Sequence, residues 1–206
     1  IYIFSYNDCS VKTIKREKGS IMKALHYTIT LIFLPLAASS VYVGGWWSFN
    51  VPVIAFVMIP LLELFISGGE ANLTKEKEEA ALQDRLYDMV VYAVVPLQYG
   101  VLLYYLWAVS KGQMDWLSFV GATWSVGITC GVFGINVGHE LGHRKKKSEQ
   151  WMAKSLLLTS LYMHFFIEHN KGHHKRVATP EDPASARINE SVYSFWFRST
   201  IRGYLS

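Results

Sequence analysis

The stretch GHELGHRKKK, residues 138–147, contains His139-Glu140-Leu141-Gly142-His143. An H-E-x-x-H pattern on a helix can hold Zn²⁺ through its two histidines while the glutamate activates a water, the chemistry of a metalloprotease. A second stretch, EHNKGHHK at 168–175, adds His169, His173 and His174. A single zinc would use one of these as its third ligand and leave the others idle. His139 with His143, and His169 with His173, are each i,i+4 pairs, so each pair shares a helical face with Cβ atoms about 6 Å apart. His174 points roughly a third of a turn away. Two such pairs and an adjacent histidine suit two metal ions. Imidazole-rich, open sites favour iron, zinc or copper over magnesium or calcium.

Three polar residues stand close to these histidines in sequence. Glu168 could orient ring N–H groups, the usual task of carboxylates behind metal-binding histidines. His164, one turn earlier, is either a similar partner or a packed residue. Glu140 is i−4 to Arg144, and the two can simply form an exposed ion pair, worth about 0.3–0.5 kcal/mol. His26 stands apart from the clusters and reads as an ordinary satisfied polar group.

The elements that must position these side chains are apolar. From Ala24 to Ser67 the only acid or base besides His26 is Glu63, and neither Met89–Ser110 nor Trp116–Gly138 has any Asp, Glu, Lys or Arg. One such charge at a membrane-helix centre costs roughly 2.5–3.5 kcal/mol, so charge-free runs of about 20 residues predict spanning helices. Spans are expected at about 25–44, 47–67, 89–110 and 116–137, the first two joined by GGWW and the last two by KGQMD. Short connections make each pair an antiparallel hairpin. Trp46, Trp47, Trp107 and Trp116 fall at one set of helix ends, where an interfacial aromatic belt would lie.

Lys12, Lys15, Arg16, Lys18, Lys23, Lys75, Lys77, Arg85 and the run Arg144–Lys147 fall on one side of these spans, against Lys111 on the other. The positive-inside rule makes the first side cytoplasmic, with the run Arg144–Lys147 as a topology anchor and a secondary candidate for docking an acidic electron donor. A net charge of +4 could suggest nucleic acid, but the basic residues flank apolar helices, and no nucleic-acid partner is expected. The two cysteines, Cys9 and Cys130, imply no disulfide framework. Residues 1–21 are polar and irregular, either a non-native leader before Met22 or a cytoplasmic tail. Residues 151–167 are apolar enough to tempt a fifth span. A crossing there would leave the two histidine groups a bilayer apart, so an interfacial helix is expected instead.

NVGHELGHRK and FFIEHNKGHHKRVATPEDPASAR closely resemble the first two histidine boxes of the integral-membrane alkane 1-monooxygenases, within the fatty-acid desaturase and hydroxylase superfamily. Weaker similarity runs through IPLLELFISGGE and WMAKSLLL, so the likeness covers about residues 22–202. The loop GGEANLTKEKEE lacks the prolines of that family's corresponding loop. The resemblance implies an all-α membrane protein, a multi-span helical bundle of the bacterial inner membrane with its histidine boxes facing the cytoplasm. It implies two non-haem iron ions held by His139, His143, His169, His173 and His174. It further implies hydroxylation of n-alkanes to 1-alkanols with O₂ and electrons from rubredoxin and rubredoxin reductase. A fatty-acyl desaturase shares the histidine spacing and stays open as an alternative, with the zinc protease behind it. The family carries a third histidine box and a further histidine motif, so residues 22–206 are expected to be a partial hydroxylase domain truncated before the C-terminal half, and inactive alone. If the second span lines a hydrocarbon channel, the small Ala55 would leave it open to longer alkanes.

Overall fold

The computed structural model describes residues 28–65 and 85–205. The tail 1–21, Cys9, His26 and the GGEANLTKEKEE loop lie outside them. The described residues form helices and no strand: α1 (Ile29–Val43), α2 (Gly45–Glu63), α3 (Arg85–Ser110), α4 (Trp116–Gly142), α5 (Lys147–Thr159), α6 (165–176) and α7 (Val192–Leu205). The helices α2, α3 and α4 are each long and apolar enough to cross a membrane, and α1 is a shorter apolar helix. Large apolar side chains such as Phe56, Leu61, Leu103 and Leu106 are exposed on α2 and α3. That surface suits lipid and not water. The all-α membrane class expected from the sequence is what the chain shows.

The chain divides into two compact units at Val126–Gly127, within α4. In the first, α1 and α2 meet at Gly44 (φ 70°) and Gly45 (φ 55°), left-handed positions that favour residues without Cβ. The N–H of Gly45 donates to Ser118 Oγ at 2.6 Å. Asp115 caps α4 by accepting from the Ser118 backbone N–H at 3.1 Å and from its hydroxyl. Ser125 Oγ donates to Ser48 O at 2.6 Å, so polar groups join these apolar helices where no water is available. Trp46, Trp47, Trp107 and Trp116 are all exposed. Pro60 lacks an N–H and its ring would clash with the carbonyl four residues back, and α2 winds as a π-helix over Ile54–Met58, just before it.

In the second unit, α4 does not stop at residue 137. It runs on through the first histidine box to Gly142, with Cys130–Val137 wound as a π-helix. Gly134, Gly138 and Gly142 repeat every four residues and form a bare stripe. A Cβ on Gly134 would stand 2.6 Å from Thr159 Oγ1 and 3.1 Å from Leu156 O, and one on Gly138 would stand 3.2 Å from Ala153 O. The helix α5 lies against Gly134 and Gly138, while Gly142 faces Phe166 and Asn170 of α6. Ala153, Leu156 and Leu157 of α5 are fully buried.

The single helix expected over 151–167 is instead two pieces. The first, α5, ends at Thr159. Tyr162 N–H donates to Leu157 O at 2.9 Å and Leu161 N–H to Leu158 O at 3.0 Å, with Leu161 left-handed at φ 55°. This is a Schellman stop with leucine in the place glycine usually takes. A left-handed non-glycine costs about 1–2 kcal/mol, so a leucine at this position gives no sign of a helix end in the sequence. At 13 residues, α5 rises only about 20 Å, too short to cross a bilayer of about 30 Å.

Gly138→Leu is expected to lower thermal stability in detergent by about 1–3 kcal/mol through overpacking against Ala153 and Leu157. Gly131→Leu, where an added Cβ meets nothing within 4 Å, should change it by less than about 0.5 kcal/mol. Equal effects of the two would show that the stripe is not a packing surface.

Candidate metal centre

The stop after α5 turns the chain back, and α6 carries the second histidine box toward the first. His139 Nε2 and His169 Nε2 stand 2.7 Å apart, His139 Nε2 and His143 Nε2 2.8 Å, and His143 Nε2 and His169 Nε2 3.3 Å. Three ring nitrogens therefore converge on one point. Imidazole nitrogens that share a metal at about 2.0–2.1 Å stand roughly 3 Å from one another. A set of three imidazoles so placed fits one imidazole-binding transition-metal ion, with room for further ligands.

The other two histidines of the second box lie beside this point. The helix α6 is π-wound over Glu168–His173. This wider winding, with i→i+5 bonds, brings residues four and five apart nearly over one another. The His173 ring stacks on His169 at 5.2 Å and 19°. His174 swings back to sit 4.6 Å from the His169 ring and 5.0 Å from that of His143. A regular α-helix would have sent it away. Phe165 also stacks on His169, at 4.8 Å, and walls the cluster with an apolar ring. Burial, then the neighbouring imidazoles of His139, His174, His143 and His173, push His169 down to about 4. It is therefore a neutral donor with a free lone pair at neutral pH.

Residues 114–206 match the fatty acid desaturase family. Over 153 residues, 73% of this chain and 38% of the relative, the chain is 41% identical to an alkane 1-monooxygenase of Pseudomonas putida. It is 40% identical over 156 residues to alkane 1-monooxygenase 1 of Alcanivorax borkumensis, 75% of this chain and 38% of that protein. The chain belongs to the alkane 1-monooxygenase family. A more distant relative, the xylene/toluene monooxygenase hydroxylase component XylM of Pseudomonas putida, is 24% identical over 183 residues, 87% of this chain and 47% of that one. The chain thus spans less than two-fifths of the length of the two nearer family members named here.

Within this family member, the residues adjoining the histidines in sequence are not the ones that hold them. Glu140 is largely exposed and lies 3.5 Å from Arg144. His164 packs edge-on against Tyr162 and Tyr204, and its Nε2 is buried without a hydrogen bond, as is Glu168 Oε1. No side-chain hydrogen bond joins these three to the five histidines among the described residues. Arg144 donates at 3.1 Å to Glu149, which is buried, and so ties the end of the first box to the start of α5. Ala55 lies half-buried in the π turn of α2, in the first unit.

The residue that sequence reasoning missed is Asp182. Its carboxylate, fully buried, accepts from His173 Nδ1 at 2.8 Å. It also accepts from the Ala184 N–H at 3.0 Å and the Ser185 hydroxyl at 2.6 Å. Burial alone would raise this carboxyl, but the bonds from Ser185, Ala184 and His173 outweigh it and hold it below the ordinary value. A charged acceptor at Nδ1 selects the tautomer of His173 that leaves Nε2 free for a metal. The signal was present in ATPEDPASAR, where Pro180 and Pro183 bracket the aspartate.

Asp182→Asn keeps the shape and removes the charge. It is expected to weaken Co²⁺ binding by roughly 10–100-fold, measured by competition with a chelator in detergent. Unchanged affinity would mean that His173 needs no partner at Nδ1.

Proposed function

We propose that this chain carries part of the metal centre of a membrane alkane 1-monooxygenase that converts n-alkanes to 1-alkanols. The observation that supports this most directly is the convergence of His139, His143 and His169 from two boxes some thirty residues apart. In this reading His139, His143, His169, His173 and His174 hold two non-haem irons. Bound iron supplies one-electron chemistry with O₂, sufficient to oxidise an unactivated terminal C–H bond. Rubredoxin and its reductase supply electrons, and the site faces the cytoplasm of a bacterial inner membrane.

The chain's own part is binding, orientation and exclusion of water. His169, neutral and ringed by imidazoles, presents its lone pair without first losing a proton. Asp182 turns Nε2 of His173 outward from its own hydrogen bond. Phe165 keeps water from one face of His169. Glu168, whose Oε1 is buried and unpaired, and His164 are available to orient further groups, and Glu140 serves the turn through Arg144. A zinc protease would instead require Glu140 beside the metal as general base. A fatty-acyl desaturase is the second reading, because residues 114–206 match that family's description.

Tests use the complete polypeptide. Iron content should fall markedly in His139→Ala, His143→Ala, His169→Ala, His173→Ala and His174→Ala, whereas Glu140→Gln should keep both its iron and most of its activity. Membranes supplied with rubredoxin and its reductase should form 1-octanol from octane. Full iron retention in His169→Ala would remove the metal assignment, and unsaturated acyl chains without any alkanol would favour the desaturase.

Ala55 is proposed to border the hydrocarbon path. Ala55→Trp should shift the products of a mixed alkane feed toward shorter chains, read by gas chromatography. An unchanged product profile would place Ala55 against lipid.

A further inference from the structure

The loop that carries Asp182 is itself gripped from a distance. Arg198, in α7, lies 24 residues beyond the last histidine of the second box. Its Nε donates to Glu190 Oε1 at 2.6 Å and its Nη2 to Glu190 Oε2 at 2.7 Å, a two-pronged ion pair. The same guanidinium reaches two backbone carbonyls, Ser185 O at 2.8 Å from Nη2 and Pro183 O at 3.2 Å from Nη1. Phe195 lies beneath it, 5.5 Å from ring centre to guanidinium carbon. Both charged side chains are nearly buried, 13% and 10% exposed. Glu190 Oε2 in turn accepts the Arg187 N–H at 3.0 Å.

The hydrogen-bond acceptors of the Arg198 guanidinium all lie in the segment immediately after Asp182. The carbonyls it holds belong to Pro183 and Ser185, the residues on either side of Ala184. Ala184 N–H and Ser185 Oγ are two of the three donors that fix the Asp182 carboxylate. The third donor is His173 Nδ1. One fork of five N–H donors therefore sets the backbone that sets the carboxylate that sets the imidazole.

We propose that Arg198 is a positioning residue for the metal centre, which clamps the 183–190 loop so that Asp182 stays on Nδ1 of His173. This rests on the reading of the five histidines as metal ligands. Lysine cannot replace the arginine, because one ammonium cannot grip both carboxylate oxygens and both carbonyls. A purely structural ion pair would behave differently from this clamp. Exchanging the charges would restore the pair but not the bonds to Pro183 and Ser185.

The test uses Co²⁺ as probe on the complete polypeptide in detergent, with affinity from chelator competition and ligand geometry from the visible absorption bands. Arg198→Gln should weaken Co²⁺ about tenfold and shift the bands in the same direction as Asp182→Asn. Added to Asp182→Asn, it should cause little further loss, since both act on one imidazole. Arg198→Lys should stay folded and still show the band shift, and the exchange Glu190→Arg with Arg198→Glu should not restore the original spectrum. Wild-type affinity and bands in Arg198→Lys and Arg198→Gln, or losses that add fully to those of Asp182→Asn, overturn the proposal. If the unmodified protein binds no Co²⁺, the metal-site reading fails first and takes this inference with it.

Discussion

The C-terminal unit depends on how closely α5 can approach α4. The glycines at 134 and 138 leave no Cβ on one face, and the carbonyls of Ala153 and Leu156 come within the space a methyl group would fill. Close backbone approach is a general source of helix association in apolar surroundings, where burial of hydrocarbon gives no advantage over lipid. Here it also sets a direction. Because α5 runs back along α4, its end stands beside Gly134, and the turn at Leu161 then lets α6 bring the second histidine box up to the first.

Two departures from regular helix then complete the site. The left-handed Leu161 ends α5 without a glycine, and the π turn over Glu168–His173 gathers His169, His173 and His174 on one side of α6. Each costs local free energy relative to ordinary helix. Features of this kind concentrate where a function needs a particular side-chain placement. The three converging ring nitrogens are such a placement, unfavourable for bare imidazoles and natural for ligands of a cation.

The polar groups around the histidines divide the work by position. Glu149 and Arg144 close the turn after the first box, Asp182 fixes the tautomer of His173, and Arg198 fixes the loop of Asp182. All three interactions involve charged side chains held away from solvent, where an unpaired charge would be costly. A carboxylate that has a histidine, a hydroxyl and a backbone N–H as donors has few other conformations open to it.

The membrane class, three of the four expected spans and the clustered histidines were legible in the sequence, because charge-free length and residue type are local properties. The extent of α4 was not, since neither the glycines nor the polar box residues after Val137 interrupt backbone hydrogen bonding. The break at Leu161 was hidden as well, because its stop motif is made of backbone bonds around a residue that ordinarily avoids that conformation. The glycine stripe could have been read from its four-residue period, but only packing shows which helix lies on it. The side chain of Glu168, beside the histidines in sequence, makes no hydrogen bond to them, while that of Asp182, eight residues beyond His174, does. Sequence determined which side chains could bind a metal. Tertiary structure decided which of them meet and which acid orients them, because a hydrogen bond requires about 3 Å in space and is indifferent to distance along the chain.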